Sequence, residues 1–411
     1  MRWYEQPTAD HSGLTTHAFR EGKEMKGNEM KALSSRGRFT LALNHQEPDR
    51  VPIDLGSIAS TIRTVDAYDR LKVHLGLAVD KKIRHFADEH IIPDEEIIKA
   101  LHVDTWYLRM NPPKSWKRER LDAHTVVDEW SVPWTKAPGS YYTFPASHPI
   151  KTPALEEIEK FPWPDPNEPS RFEGLREKAQ QLFRGTDYAL VAEGVTGVGV
   201  FDMTWHLRGM EDIFLDMLLH PDFTEALFQR LTDYYAALYK NYMQAVGDYI
   251  QMVIYYEDLS GQDGPLMSPE LYRKLIKPCH RRIFRTIKEY TRAKLCVHTC
   301  GSAYAFLDDY VDLGVEVINP VQISARDMDP HRLKQKYGSA LSFHGAIDTQ
   351  RFLPRATPSE VAEEVRRIIG VLGRGGGYLF TSCHSIQPDV SAENIVALFD
   401  SAVKYGKYPL P

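Results

Sequence analysis

The chain is poor in cysteine, has no extended basic run and has no long apolar run, and each shortage removes a class of protein. Four cysteines (Cys279, Cys296, Cys300 and Cys383) in 411 residues are too sparse for a disulfide framework and fit a reducing compartment. No stretch reaches the roughly 18 consecutive apolar residues of a membrane span, and residues 1–7 lack the apolar core of a signal peptide. A cytoplasmic protein is therefore expected. A net charge of −6 without a basic cluster argues against nucleic acid as the main partner. No glycine-rich dinucleotide fingerprint follows the first apolar run, which disfavours an open doubly wound sheet.

What remains is an ordinary globular composition, 43% hydrophobic and 26% charged, with a regular rhythm from residue 36 onward. Residues 1–35 are polar and lack sustained periodicity, and read as an N-terminal extension. Beyond them, short β-branched runs at 51–55, 104–110, 189–193, 252–258, 294–300, 315–321, 340–347 and 377–383 alternate with stretches of helical period such as 223–246, 269–290, 358–372 and 392–405. Strands alternating with helices pair in parallel, and eight such units predict an α/β fold, a (β/α)8 TIM barrel spanning 36–411 as one domain. One segment, about 111–166, breaks the rhythm. It carries Trp116, Trp130, Trp134, Tyr141 and Tyr142 among prolines and alternating runs, and reads as a β-hairpin insertion after the second strand, either covering the catalytic face or forming an aromatic mini-core of its own.

In a barrel of this kind the chemistry gathers at the C-terminal ends of the strands, and the polar residues fall there. Asp54, Glu193, Glu257, Asp258, His298, Cys300, Asn319, Gln322, His344, Cys383 and His384 all close or follow predicted strands. His298 and Cys300 lie two residues apart on one strand, so their side chains leave the same face and can reach one ion. Thiolate and imidazole donors suit zinc, and three protein ligands with one open position mark a catalytic site. The expected metal ligands are His298, Cys300 and Cys383, with His384 and His344 as reserve ligands or acid/base groups. Glu257 and Asp258 are expected to hold substrate or move a proton, and Asp54, Glu193, Asn319, Gln322 and Tyr256 to line a substrate pocket. Cys279 and Cys296 are read as small core residues.

Several stretches together resemble the uroporphyrinogen decarboxylase superfamily. Residues 36–54 look like its opening segment and 258–278, with Gly261-Gln262 and Met267-Ser268-Pro269-Glu270, like its middle signature. Residues 298–301, 319–322, 343–350 and 384–408 resemble its last third. The resemblance implies a (β/α)8 barrel and leaves two chemistries open. True decarboxylases are metal-free and carry an arginine-rich motif after the first strand. Residues 55–63 here hold only Arg63, too little to grip a polycarboxylate. The other branch contains zinc-dependent methyltransferases that work with a corrinoid protein, and His298, Cys300 and Cys383 match its His-x-Cys and distant-Cys ligands. The surroundings of Cys383, which sits beside His384, look more like the demethylase components than like the coenzyme M enzymes. The resemblance thus implies zinc as cofactor, a corrinoid (cobalamin) carried by a partner protein and a small methylated substrate, most simply a methoxy compound. The chain itself lacks the Asp-x-His-x-x-Gly pattern of corrinoid-binding domains. A thiol acceptor, a metal-free lyase and a non-catalytic binding barrel are the alternative readings.

Overall fold

The computed structural model describes residues 33–79 and 90–410. Most of the expected extension, up to residue 32, lies outside the described residues. Among the described residues seven parallel strands form one curled sheet: β1 (Thr105–Leu108), β2 (Ala189–Ala192), β3 (Met252–Tyr256), β4 (Lys294–His298), β5 (Val317–Val321), β6 (Ser342–Ile347) and β7 (Tyr378–Ser382), each paired with its sequential neighbour. Helices fill the connections, the longest being Pro221–Val246. This is an α/β fold of the TIM-barrel type. Among the described residues no helix is long and apolar enough to cross a membrane.

The first predicted strand, 51–55, does not form a regular ladder, yet it lies between the two edge strands of the sheet. Phe380 N donates to Pro52 O, Asp54 N to Phe380 O, and Asp104 N to Ile53 O. Pro52 has no N–H to give, and Ile53 N donates to the Asp104 carboxylate rather than to a backbone carbonyl, which is why only isolated bridges form. The hydrogen-bond circuit nevertheless passes from β7 through 51–55 to the start of β1.

Strand side chains alternate between two layers, as the pleat requires. Tyr107, Ala189, Val191, Met252, Ile254, Tyr256, Cys296, Val317 and Leu379 form an interior cluster, joined by Phe39, Ala42 and Leu43 of the helix Ser35–Leu43, which plugs the N-terminal end of the barrel. The intervening residues, such as Leu190, Val253, Tyr255, Val297, Phe343 and Phe380, pack outward beneath the helices together with Cys279. Both Cys296 and Cys279 are thus core residues.

The insertion is larger than a single hairpin. Glu119–Arg120, Thr125–Val127, Pro133–Lys136 and Thr143–Pro145 make a four-stranded antiparallel sheet. Its central turn is organised by Asp128, whose carboxylate accepts from Trp130 N, Val132 N and Trp134 Nε1. Burial pushes that carboxyl up to about 6 against the pull of these donors. Trp130 packs edge-on against Trp163 and Tyr234, so part of the aromatic content does serve a local core.

The closing segment depends on Asp104, which is fully buried. Its carboxylate takes Arg38 Nη1 at 2.6 Å, Arg50 Nη1 at 2.7 Å, Ser35 Oγ at 2.7 Å and Ile53 N at 2.8 Å. Removing one partner of a buried, hydrogen-bonded ion network leaves the others desolvated and unpaired, at a cost of about 3–5 kcal/mol. Asp104→Ala is expected to lose stability on that scale in urea unfolding. A change below about 1 kcal/mol would show that the closure does not rest on this carboxylate.

Candidate metal centre and its surroundings

His298 ends β4 and Cys300 follows it by two residues, so both side chains emerge at the C-terminal mouth. The chain can turn there because Gly301 adopts a φ of +81° and passes against the carbonyls of Ser260 and Gly261, where any β-carbon would collide. Cys300 Sγ lies 3.3 Å from His298 Nε2. His384, from the loop after β7, completes a group in which one ligand atom from each of the three residues lies within 4.8 Å of the others. His298 is buried, whereas Cys300 and His384 are half-buried. A soft thiol and two imidazoles at this spacing suit zinc, so the residues present fit the implied cofactor.

Cys383, expected as the third ligand, does not join this group. Its thiol is buried and paired with Thr349 Oγ1 at 3.7 Å. Cys383 and His384 follow Ser382, the last residue of β7, in a bend, and of the two only His384 places a ligand atom in the group. Burial pushes the Cys383 thiol up to about 11. It also drives Cys300 well above its ordinary value, reinforced by the charges of Asp258, Cys383 and Asp202. The His298 imidazole is lowered below its ordinary value, chiefly by burial.

Around the cluster, Asp258 Oδ1 accepts from Cys300 N at 2.7 Å, Asn319 Oδ1 lies 2.6 Å from His298 Nδ1, and Gln322 Oε1 accepts from Gly301 N at 2.7 Å. The Tyr256 ring packs 4.9 Å from that of His298, and its hydroxyl donates to Glu193. Asp258, Asn319, Gln322 and Tyr256 therefore contact the cluster or its backbone. Glu193 is a step removed: it also takes Ile58 N and Arg109 Nη2, and burial raises its carboxyl.

Two residues expected to act as acid/base groups sit elsewhere. Glu257 follows Tyr256 and so points to the opposite side of the sheet, where it is fully buried. One of its oxygens accepts from Phe201 N and Asp202 N at the start of the helix Val200–Arg208, and the other pairs with His280 Nε2 at 2.7 Å. It joins a strand to two helices and does not reach the cluster. Gly199 makes this approach feasible, since a β-carbon there would strike the Glu257 carboxylate. His344 is buried inside the barrel, its Nε2 2.9 Å from Asp54 Oδ2. Asp54 also receives Thr105, Tyr107 and Ser60. Burial opposes its ionisation, but the bonds from His344, Thr105 and Tyr107 outweigh it and hold the carboxyl below its usual range. Asp54 is thus held inside the barrel by His344, Thr105, Tyr107 and Ser60.

Asp202, on the first turn of Val200–Arg208, is a neighbour that no motif announces. It takes Asp258 N at 2.9 Å and Trp205 Nε1 at 3.2 Å, and burial together with the charges of Glu257 and Asp258 raises its carboxyl far above normal. Trp205 in turn packs on His206, whose other side meets Trp134 of the insertion. At its far end the inserted sheet is tied to the loops leaving the first and last strands. Arg63 Nε donates to Tyr141 O at 2.6 Å, its guanidinium lies 3.9 Å over the Tyr142 ring, and Gln387 Nε2 donates to the Tyr142 hydroxyl. The insertion thus reaches the rim of the mouth at two places.

Comparisons with known proteins agree with this architecture. Residues 139–405 match the family model for uroporphyrinogen decarboxylase (URO-D). A methylated-thiol–coenzyme M methyltransferase of Methanosarcina mazei is 24% identical over 226 residues, 55% of this chain and 58% of that protein. The matched stretch thus spans less than two-thirds of that relative. A solved methyltransferase from Methanosarcina mazei superposes with a TM-score of 0.59 at 15% identity, covering 91% of this chain and 99% of that one. At that identity the likeness concerns the fold.

His206 gives the contact between insertion and mouth a pH signature. Burial, with a smaller contribution from His148, holds its imidazole down at about 3, against about 6.5 in an unfolded chain. As pH falls below 6.5 the unfolded chain takes up this proton and the folded one does not, so stability declines. Between pH 7 and pH 5 His206 accounts for about 2 kcal/mol of that loss. Urea titrations of His206→Phe are expected to show a correspondingly shallower decline than wild type; an unchanged slope would contradict it.

Proposed function

The chain belongs to the uroporphyrinogen decarboxylase (URO-D) family, and from that premise we propose that it is a zinc-dependent methyltransferase. In this reading it moves a methyl group from a small methylated substrate to the cobalt of a corrinoid carried by a separate protein. The observation that carries the reading is the His298, Cys300 and His384 cluster at the barrel mouth. The partial likeness to a methylated-thiol–coenzyme M methyltransferase supports it. The decarboxylase alternative loses ground on Arg63, the one arginine in residues 55–63. It is fully buried and committed to Tyr141, Tyr142 and His90, and so cannot clamp a polycarboxylate at the mouth.

His298 and Cys300 would hold zinc together with one of the adjacent side chains His384 and Cys383, the geometry favouring His384. When bound, zinc supplies a Lewis acid that lowers the basicity of the substrate heteroatom bearing the methyl group. The chain's own residues set the conditions for this. Asp258 fixes the Cys300 backbone, Tyr256 packs against the His298 ring, and Trp205 presents a half-buried aromatic surface held by Asp202. A methoxy compound, including an aryl methyl ether, is the methyl donor we favour from these aromatic neighbours. A methylated thiol is the second reading, favoured by the printed activity of the M. mazei relative.

Elemental analysis of the purified protein is expected to give about one zinc per chain. Cys300→Ala should lose both the metal and methyl transfer to a reduced corrinoid protein. His384→Ala should lose more zinc than Cys383→Ala if the cluster is the ligand set, and the reverse would restore Cys383 as the third ligand. Full zinc content and turnover in Cys300→Ala would overturn the metal reading.

A further inference from the structure

The hydrogen bonds around His298 fix more than its position. Asn319 Oδ1 lies 2.6 Å from His298 Nδ1, and Asn319 Nδ2 lies 3.4 Å from the backbone carbonyl of His344 on the next strand. A backbone carbonyl only accepts. The amide nitrogen of Asn319 must therefore face His344 O, and the amide oxygen must face His298. An amide oxygen also only accepts, so His298 Nδ1 must carry the proton. That leaves the lone pair on Nε2, the atom 3.3 Å from Cys300 Sγ. Asn319 is buried, so water does not compete for either end of the amide.

Resting on the zinc reading above, we propose that Asn319 is a positioning residue that locks His298 in the Nδ1–H tautomer, so that Nε2 is offered to a metal beside Cys300 without a prior proton shift. Sequence suggested Asn319 as a substrate contact; both of its amide groups are instead taken up by β4 and β6. Metal-binding histidines characteristically donate the other ring N–H to a carboxylate or carbonyl, which fixes ring orientation and raises ligand basicity. Here a side-chain amide fills that role, and its own orientation is dictated by a main-chain carbonyl of the barrel. The adjacent strand β5 and, through it, β6 therefore determine which nitrogen can bind.

The metal-free full chain, selectively labelled with 15N-histidine, tests the tautomer directly. Long-range 1H–15N spectra should show the His298 signals, identified by their loss in His298→Ala, with Nδ1 protonated and Nε2 in the unprotonated range. An Nε2–H pattern would overturn the inference. Zinc affinity by chelator competition provides the second arm. Asn319→Leu removes the acceptor and should weaken zinc by roughly 10–100-fold. Asn319→Asp keeps an acceptor for Nδ1–H and should stay much closer to wild type. Equal affinity in Asn319→Leu and wild type, or an equal loss in Asp and Leu, would overturn a positioning role. If the wild type takes up no zinc, the proposed function fails, and the tautomer spectrum still decides this inference by itself.

Discussion

The barrel depends on a closure that its backbone makes only in part. Seven strands pair in sequence, but the segment at 51–55 supplies the eighth position with a proline at 52 and with isolated bridges rather than a ladder. The Asp104 carboxylate makes up the difference. It takes a backbone N–H from Ile53, two guanidinium groups and a serine hydroxyl in a fully buried setting. Arg38 and Ser35 belong to the helix that plugs the barrel floor, so one carboxylate ties the plug, the closing segment and the first strand together. Such a network is poor evidence for net stability, but it holds the plug helix, the closing segment and the start of the first strand to one carboxylate.

Once the ring is closed, the period of two along each strand distributes the functional groups. Interior positions near the mouth carry Tyr256 and His298, while Glu257 is sent outward to His280 and the helix starting at Val200. The cluster at the mouth then combines a buried imidazole, a half-buried thiol and a second half-buried imidazole, supported by Asp258, Asn319 and Gln322. Its backbone and tautomer are set by neighbouring strands, and burial raises its thiol above the ordinary value. The inserted sheet meets this mouth through Trp134 and Tyr142, linking a peripheral element to the helix that bears Asp202 and Trp205.

Much of this is legible in the sequence because it follows from periodicity. The seven ladder strands coincide with apolar runs, and the position of the insertion shows as a break in their spacing. His298 and Cys300 stand out because a spacing of two on a strand puts both on one face. The shape of the insertion is harder to read, since strands of two to four residues leave little pattern. The choice between Cys383 and His384 turns on the backbone of a loop exit, which composition does not encode. Glu257 and Asp54 carry the residue type of a catalytic acid, but one faces away from the mouth and the other is saturated by Thr105, Tyr107, Ser60 and His344. Asp202 leaves no trace at all, because its place beside Asp258 arises only when a helix from one loop packs against the end of another strand.

The central claim is that this mouth is a zinc site built from a thiolate and imidazoles. Zinc K-edge X-ray absorption of the reconstituted protein tests it most directly. The account predicts a sulfur scatterer at about 2.3 Å together with imidazole nitrogens at about 2.0 Å, in a site with room for one further ligand. A spectrum with only oxygen and nitrogen neighbours, or a protein that retains no zinc after reconstitution, would contradict it.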